Sequence, residues 1–130
     1  MISRSYGLGG DRTSARAARD FTLETLADWG LNELAFDIEL VVSELVTNAL
    51  RHAVPHVSTP WPIRLRLLHH AAYVVCVVQD PSDLVPVASD EDEFAESGRG
   101  LHLVEALSIA WGWSLLSRGK IVWAAFNDTP

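Results

Sequence analysis

Apolar residues recur at three- and four-residue steps in two stretches of the first half of the chain. In residues 13–29 this periodic set ends before Gly30 and comprises Ala15, Ala18, Phe21, Thr22, Leu26 and Trp29. In residues 34–52 it comprises Leu34, Ile38, Val41, Val42, Leu45 and Ala49. A repeat close to 3.6 residues predicts two amphipathic helices, each with one buried face. The first spans 13–29, and the second is capped by Asn32 and ends near His52 or Val54, before Pro55.

The second half of the chain has the shorter period of strands. Residues 63–67 alternate apolar and charged side chains, which predicts a strand with one dry and one wet face, followed by a connection over 69–72. Residues 73–78 are a continuous, valine-rich run, which predicts a central strand covered on both sides or nearly so. A helical pattern returns over 98–108, and residues 110–116 and 121–126 predict a hairpin around 118–120. Residues 1–10 are either a frayed tail or a short edge strand.

The order of these elements indicates the fold class. Helix, helix, strand, strand, helix, strand, strand predicts an α/β two-layer sandwich, with the helices packed on one face of a mixed, largely antiparallel sheet. A length of 130 residues suits a single domain covering 1–130. Residues 81–97 interrupt the pattern, since they are acidic and contain two prolines. Loops of that length are usually lids or other functional elements, so a lid is expected over about 81–97.

The charge balance and the single cysteine narrow the classes of function. The net charge is −7, and nine arginines and one lysine form no basic stripe, which disfavours direct binding to nucleic acid. Cys76 lies inside the apolar run 73–78 and has no intrachain partner, which indicates a small buried side chain in a reducing compartment. No segment approaches the ~18 consecutive apolar residues of a membrane helix, and the N-terminus has no apolar signal core. A cytoplasmic location is therefore expected, with no membrane partner.

A line of polar residues runs along the second helix beside its apolar face. Glu44, Asn48 and His52 are spaced four residues apart, so their side chains project in one direction, one turn apart. A carboxylate and a carboxamide so near a core are costly unless they have partners. Glu-x-x-x-Asn also occurs on many helices by chance. The spacing alone therefore leaves two interpretations: the fold satisfies these groups internally, or a ligand does.

Two further motifs follow this polar stripe along the chain. The run 73–78 leads into Asp80, and another helical pattern opens with Gly98, Arg99, Gly100 and Leu101. In this order the three motifs resemble the N box, first G box and second G box of the GHKL ATPases, the superfamily of gyrase, MutL, the heat-shock chaperone and the histidine-kinase catalytic domains. Residues 42–52, VSELVTNALRH, resemble most closely the bacterial anti-sigma-factor serine kinases. The resemblance covers nearly the whole chain and implies a Bergerat-like ATP-binding fold.

The resemblance also implies a role for each motif. Asn48 would bind the nucleotide through Mg²⁺, as a neutral oxygen ligand of this hard cation. Glu44 would be the catalytic base that orients a hydroxyl or a water for in-line attack on the γ-phosphate of ATP. Asp80 would accept the exocyclic amine of adenine. The second G box would bind the phosphates at a helix start through Gly98, Arg99, Gly100 and Leu101.

Each of these residues also has an interpretation without chemistry. Asp80 can simply begin a turn, the Gly-x-Gly motif can be a plain turn, and Arg99 can face solvent. His52 is expected to be a packed or capping histidine. Arg19 lies where this branch contacts its protein partner, although a solvated surface arginine is the commoner case. The first G box departs from the family pattern, because Ser82 stands where glycine is normal, two residues after the aspartate.

Three functions remain open from the sequence. The first is an enzyme, an ATP-dependent serine/threonine protein kinase that phosphorylates an anti-sigma-factor antagonist of the STAS type and sequesters a sigma factor. The second is a nucleotide-loaded binding module with little or no phosphoryl transfer. The third is a plain α/β interaction domain in which Glu44 and Asn48 hydrogen-bond each other. A homodimer or a sigma-factor contact is expected where any of the five tryptophans stays outside the core.

Overall fold

Strands and helices follow one another in nearly the predicted order. The computed structural model describes residues 1–52, 62–82 and 96–128, with the backbone alone for His52 and residues 96–100. The elements are β1 (Ile2–Leu8), α1 (Ser14–Asp28), a 3₁₀ turn (Asn32–Leu34), α2 (Ala35–His52), β2 (Ile63–His70), β3 (Tyr73–Asp80), α3 (Glu96–Leu107), β4 (Ala110–Leu115) and β5 (Lys120–Asn127). None of the helices in these ranges is both long and apolar enough to cross a membrane. Most of the predicted lid, residues 83–95, lies outside the described residues.

The strands form one sheet in the order β1-β2-β3-β5-β4. All four pairings among the described strands are antiparallel, so the predicted helix-on-sheet fold is confirmed with no parallel pair in this part of the chain. Of the two alternatives for residues 1–10, the edge strand is the one observed, since β1 pairs along its whole length with β2. β3 lies at the centre of the sheet, as the run 73–78 predicts.

Several element boundaries differ from the predictions. β2 extends through His69 and His70, which were predicted to connect two strands. The prediction that Asn32 caps the second helix is wrong by three residues, because Asn32 begins the 3₁₀ turn and α2 begins at Ala35. α3 begins at Glu96, two residues before the predicted start. Lys120 is the first residue of β5 and not part of the turn before it.

The core lies between the helices and one face of the sheet. The predicted apolar face of α2 is buried, at Ile38, Val41, Val42, Leu45 and Ala49. On the sheet, alternate side chains are buried, at Ile63, Leu65, Leu67, Val74, Cys76, Val78, Val122, Ala124 and Phe126. Val75 and Val77, on the other face of β3, are only half-buried, so this strand is covered fully on one side. Trp113 is exposed, and Trp29, Trp111 and Trp123 are half-buried.

The first helix starts at the end of the sheet where Asp80 lies. β1 ends at Leu8, directly opposite Ile63, the first residue of β2. β2 starts beside the last residues of β3, which ends at Asp80. The Ser14 hydroxyl at the start of α1 donates a hydrogen bond to the Gly9 carbonyl. α1 therefore begins at this end of the sheet, which is called the Asp80 end below.

The second helix starts at the opposite end of the sheet and runs back. Trp29, just after α1, stacks on His69 near the end of β2, with ring centroids 6.0 Å apart. Residues 30–34, ahead of α2, line one cavity with residues 127 and 128 at the end of β5. α2 has 18 residues and is about 27 Å long, and an eight-residue strand is about 26 Å long. Packed along β3 and β5, α2 therefore brings its C-terminal turns to the Asp80 end.

The third helix begins at the Asp80 end as well. α3 contacts α2 and β4. The Ile109 amide, between α3 and β4, donates to the Ala125 carbonyl over 2.9 Å, in the half of β5 far from Lys120. β4 then runs until Leu115 lies opposite Lys120. Because the connection of two residues reverses the chain, α3 runs the other way and its first turn lies at the Asp80 end.

Cys76 gives a direct test of the core. Its side chain is fully buried in β3, and this burial raises the pKa of the thiol to about 12. At pH 8 about one thiol in ten thousand is then ionised, and the thiolate is the reactive form. We expect the native protein to react with a thiol-specific disulfide reagent many times more slowly than the protein unfolded in guanidinium chloride. Equal rates in the two states would contradict the burial of Cys76.

Candidate functional site

A buried ion pair marks the Asp80 end of the sheet. Asp80 and Lys120 lie directly opposite each other on β3 and β5, and the Lys120 Nζ is 3.0 Å from the Asp80 Oδ1. The two residues are only 3% and 4% exposed. Charged side chains are rarely buried to this degree unless they are paired. Their position therefore places an acceptor and a donor together at the point where the sheet ends.

The turn after Asp80 is held from two sides. The Ser82 amide donates to the Asp80 Oδ1 over 2.8 Å, and the Lys120 Nζ lies 3.4 Å from the Ser82 carbonyl oxygen. Gly119 has a φ of +86°, and a Cβ atom there would lie 2.1 Å from the Asp80 carbonyl oxygen and 2.8 Å from the Pro81 Cα. Only glycine allows this approach. Asp80 therefore begins a turn, as its interpretation without chemistry predicts, and that turn is packed against the β4–β5 hairpin.

The polar stripe of α2 lies beside its buried face. Glu44 and Asn48 are half-buried, next to the buried Leu45 and Ala49. The Asn48 Oδ1 is itself buried and has no hydrogen-bond partner among the described residues. A hydrogen bond from Asn48 to Glu44 would use the Asn48 nitrogen as donor, because a carboxylate only accepts. Such an internal pair would leave Oδ1 unsatisfied, so it does not account for this oxygen.

A buried oxygen that has no partner among the described residues is available to a ligand. Leaving such an acceptor unsatisfied costs about 1–3 kcal/mol. A neutral amide oxygen is one of the ligands that Mg²⁺ accepts, and this cation usually keeps several waters and takes only one or two protein ligands. Asn48, in the C-terminal turns of α2, therefore fits a magnesium ligand at the Asp80 end.

The second predicted G box lies in the first half of α3. Gly98, Arg99 and Gly100 have a helical backbone and follow Glu96, the first residue of the helix. The first four amides of a helix have no partner inside it, and the helix dipole favours an anion there. Leu101 is 2% exposed, so its side chain is part of the interior. Leu101 is the sixth residue of α3, so its amide lies beyond the four free ones at the helix start, and the predicted phosphate contact is limited to Gly98 and Arg99 among the four residues of the motif.

Topology thus brings together the predicted residues from separate parts of the chain. Three elements meet at the Asp80 end: the C-terminal turns of α2 with Asn48, the end of β3 with Asp80, and the first turn of α3 with Gly98. Glu44 lies one turn before Asn48 on the same side of α2. Arg19 is exposed on α1, as expected of a solvated arginine, and the side chain of His52 lies outside the description.

Lys120 is the residue that the sequence analysis missed, because it was assigned to a turn. The signal was present in the alternation of β5, where Val122, Ala124 and Phe126 are the buried positions. Extending this period of two backwards by one step places Lys120 on the same dry face. A lysine on a dry face requires a buried anion, and Asp80 at the end of another strand is the natural partner.

The comparisons with known proteins agree with this fold. A family model described as histidine kinase-like ATPase domain matches residues 10–126. No curated protein matches the chain. Similar solved structures include the RsbU and RsbW domains of a Mycobacterium tuberculosis protein, with a TM-score of 0.69 and 21% identity over 97% of this chain and 32% of that one. This chain thus spans about one third of that protein's chain.

Two further solved structures share the fold. The SiaB–SiaC complex from Pseudomonas aeruginosa has a TM-score of 0.68 and 13% identity, covering 97% of this chain and 89% of that one. The histidine kinase AdeS from Acinetobacter baumannii has a TM-score of 0.54 and 14% identity, covering 100% of this chain and 70% of that one. At these identities the likeness establishes the fold.

Gly119 provides a test of the packing around Asp80. We expect Gly119→Ala to lower the free energy of unfolding by at least about 2 kcal/mol more than Gly30→Ala. Both glycines have positive φ, but a Cβ at Gly30 would meet nothing within 4 Å, whereas one at Gly119 would collide with Asp80 and Pro81. Urea unfolding of the two variants measures the difference. Equal losses would mean that the hairpin does not press on the Asp80 turn.

Proposed function

The chain belongs to the histidine kinase-like ATPase domain family, and we propose that it is an ATP-binding regulatory protein kinase of the anti-sigma-factor type. In this proposal ATP binds at the Asp80 end of the sheet. Its γ-phosphoryl group is transferred to a serine or threonine hydroxyl of an antagonist protein. The observation that carries the proposal is the buried Asn48 Oδ1, which has no partner in the described part of the chain and lies at the same end of the fold as the buried acceptor Asp80.

The proposed nucleotide site divides its work among three elements. Asp80 accepts a hydrogen bond from the exocyclic amine of adenine. The free amides in the first turn of α3, around Gly98, bind the phosphates, with Arg99 beside them. Asn48 holds Mg²⁺, which when bound neutralises the negative charge of the phosphate oxygens.

Glu44 is the proposed catalytic residue. It lies one turn before Asn48 and is half-buried, so its carboxylate can hold the attacking hydroxyl in line with the γ-phosphorus. The hydroxyl oxygen forms the new bond to phosphorus, the bond to the β,γ-bridging oxygen breaks, and the hydroxyl proton passes to Glu44. The products are a phosphorylated hydroxyl and ADP.

The proposed partner is an antagonist protein of the STAS type, together with a sigma factor. Support comes from the neighbouring structures, since one contains an RsbW domain and another is a complex of SiaB with SiaC. The half-buried and exposed tryptophans, Trp113 above all, offer contact surface for a partner or for a homodimer. A bacterial cytoplasm is the proposed location.

A second candidate function is a binding module that holds nucleotide without phosphoryl transfer. The observation in its favour is the first G box, where Ser82 replaces the usual glycine and the Asp80 Oδ1 already accepts from both Ser82 and Lys120. The two candidates differ in the role of Glu44, which only the kinase requires. The third, an interaction domain without nucleotide, predicts that neither ATP nor ADP binds.

Asn48→Ala tests the proposed magnesium ligand. We expect calorimetric titration to show ADP binding about 10- to 100-fold weaker than in the wild type in excess Mg²⁺, because the metal loses a ligand. In EDTA the two proteins should bind ADP equally. Asn32→Ala, an exposed asparagine at the other end of the fold, is the matched control. A loss of the same size with and without Mg²⁺ would argue against Asn48 as a metal ligand.

Glu44→Gln separates the kinase from the binding module. We expect ATP affinity within about threefold of the wild type, and transfer of labelled phosphate to a co-encoded antagonist at least about 100-fold slower, because the amide cannot take the hydroxyl proton. Glu24→Gln, an exposed glutamate of α1, should change neither quantity. Undiminished transfer by Glu44→Gln would remove Glu44 from the mechanism, whereas no transfer by the wild type would favour the binding module.

A further inference from the structure

Lys120 has no part in the proposed chemistry, yet it is the one buried cation among the described residues. It is the only lysine of the chain and is 4% exposed, whereas the arginines Arg4, Arg64 and Arg66 lie at or near the surface. Lysine is almost never buried without a partner. A residue held there against its desolvation cost needs a reason beyond packing.

Among the described residues, the hydrogen bonds of the Lys120 ammonium go to the Asp80 turn. The Nζ donates to the Asp80 Oδ1 over 3.0 Å and lies 3.4 Å from the Ser82 carbonyl oxygen. The Ser82 amide donates to the same Oδ1 over 2.8 Å. Both donors therefore fall on one of the two carboxylate oxygens. The carboxylate has about four acceptor positions, and those of Oδ2 lie outside the Lys120 and Ser82 contacts.

The ammonium also fixes the orientation of Asp80. A buried charged group needs a partner, and Lys120 supplies one to Asp80. A carboxylate only accepts hydrogen bonds. With Oδ1 held by Lys120 and the Ser82 amide, Oδ2 is the second acceptor oxygen of the group.

We propose that Lys120 is a positioning residue for base recognition: by binding Oδ1 it holds the Asp80 carboxylate in one orientation, so that Oδ2 selects a base with an exocyclic amine. The inference rests on the proposed nucleotide site at Asp80. The chain lacks glycine at position 82, and Lys120 together with Gly119 shapes the turn from the opposite strand. At C6 of the purine ring adenine carries an exocyclic amine, which can donate to Oδ2. Hypoxanthine carries a carbonyl oxygen there, which a carboxylate oxygen repels.

The comparison of ADP with IDP isolates this role, because the two nucleotides differ at the base alone. We expect the wild type to bind ADP at least tenfold more tightly than IDP, and Lys120→Met to reduce that ratio below threefold, since its Asp80 loses the contact that orients Oδ2. Lys120→Arg keeps the charge and should keep the ratio within threefold of the wild type. Arg118→Met, an exposed cation two residues away, is the matched control. General loosening of the site would weaken both nucleotides and leave the ratio unchanged.

A measurement on the wild type covers the case in which Lys120→Met does not fold. With lysine labelled at Cε by ¹³C, the chain gives a single lysine signal in the NMR spectrum. We expect ADP to shift that signal and ribose 5-phosphate, which lacks the base, to leave it in place. An unmoved signal in saturating ADP, or an unchanged ratio in Lys120→Met, would overturn the role of Lys120 alone. A wild type that binds no nucleotide would overturn the proposed function and this inference with it.

Discussion

The buried contact between Asp80 and Lys120 is the constraint on which the arrangement of the Asp80 end depends. Removing two such charges from water costs several kcal/mol per ion, and their attraction offsets this cost only when the geometry is good. The two residues face each other across β3 and β5, so a register slip of one residue would move Lys120 to the other face of the sheet. Asp80 would then be buried without a counter-ion. The pair thus selects one register of the central strands more than it adds to stability.

Local sequence patterns predicted most of the fold. The predictions were wrong where contacts between residues distant in sequence determine the structure. The buried faces of α1 and α2 are visible in the sequence because an amphipathic helix carries its period within a few turns. His69 was predicted to lie in a connection, but its Nε2 lies 2.9 Å from the Asp128 Oδ2 and its ring stacks on Trp29. These contacts join residues that lie 59 and 40 positions apart. These contacts occur where β2 extends through His70. A prediction from short stretches of sequence cannot include them.

In the candidate site, too, some residues were predictable from local sequence and one was not. Glu44 and Asn48 were recognisable because polar residues beside an apolar helix face are costly to bury without partners. That pattern is visible within a few turns of one helix. Lys120 was missed because it follows Gly119 in a stretch that has the composition of a turn, while its partner lies 40 residues earlier. The alternation of β5 places Lys120 on the dry face, but identifying Asp80 as its partner requires the pairing of β3 with β5, two strands separated by α3 and β4. The sequence pattern does not contain that pairing; the sheet order does.

In the proposed function, the contact of Lys120 with Asp80 also constrains how a triphosphate would bind to a chain of net charge −7. A lysine committed to Asp80 cannot also neutralise phosphate oxygens, and it is the only one available. The long-range electrostatic interaction between the chain and a triphosphate is repulsive, because both are anionic. In the proposed site the charge of the phosphates would therefore be neutralised at short range, by helix amides in the first turn of α3, by a cation at Asn48, or by an arginine such as Arg99. The proposed site would therefore separate two tasks: base recognition would depend on one buried ion pair, and phosphate binding would depend on a metal and on backbone dipoles.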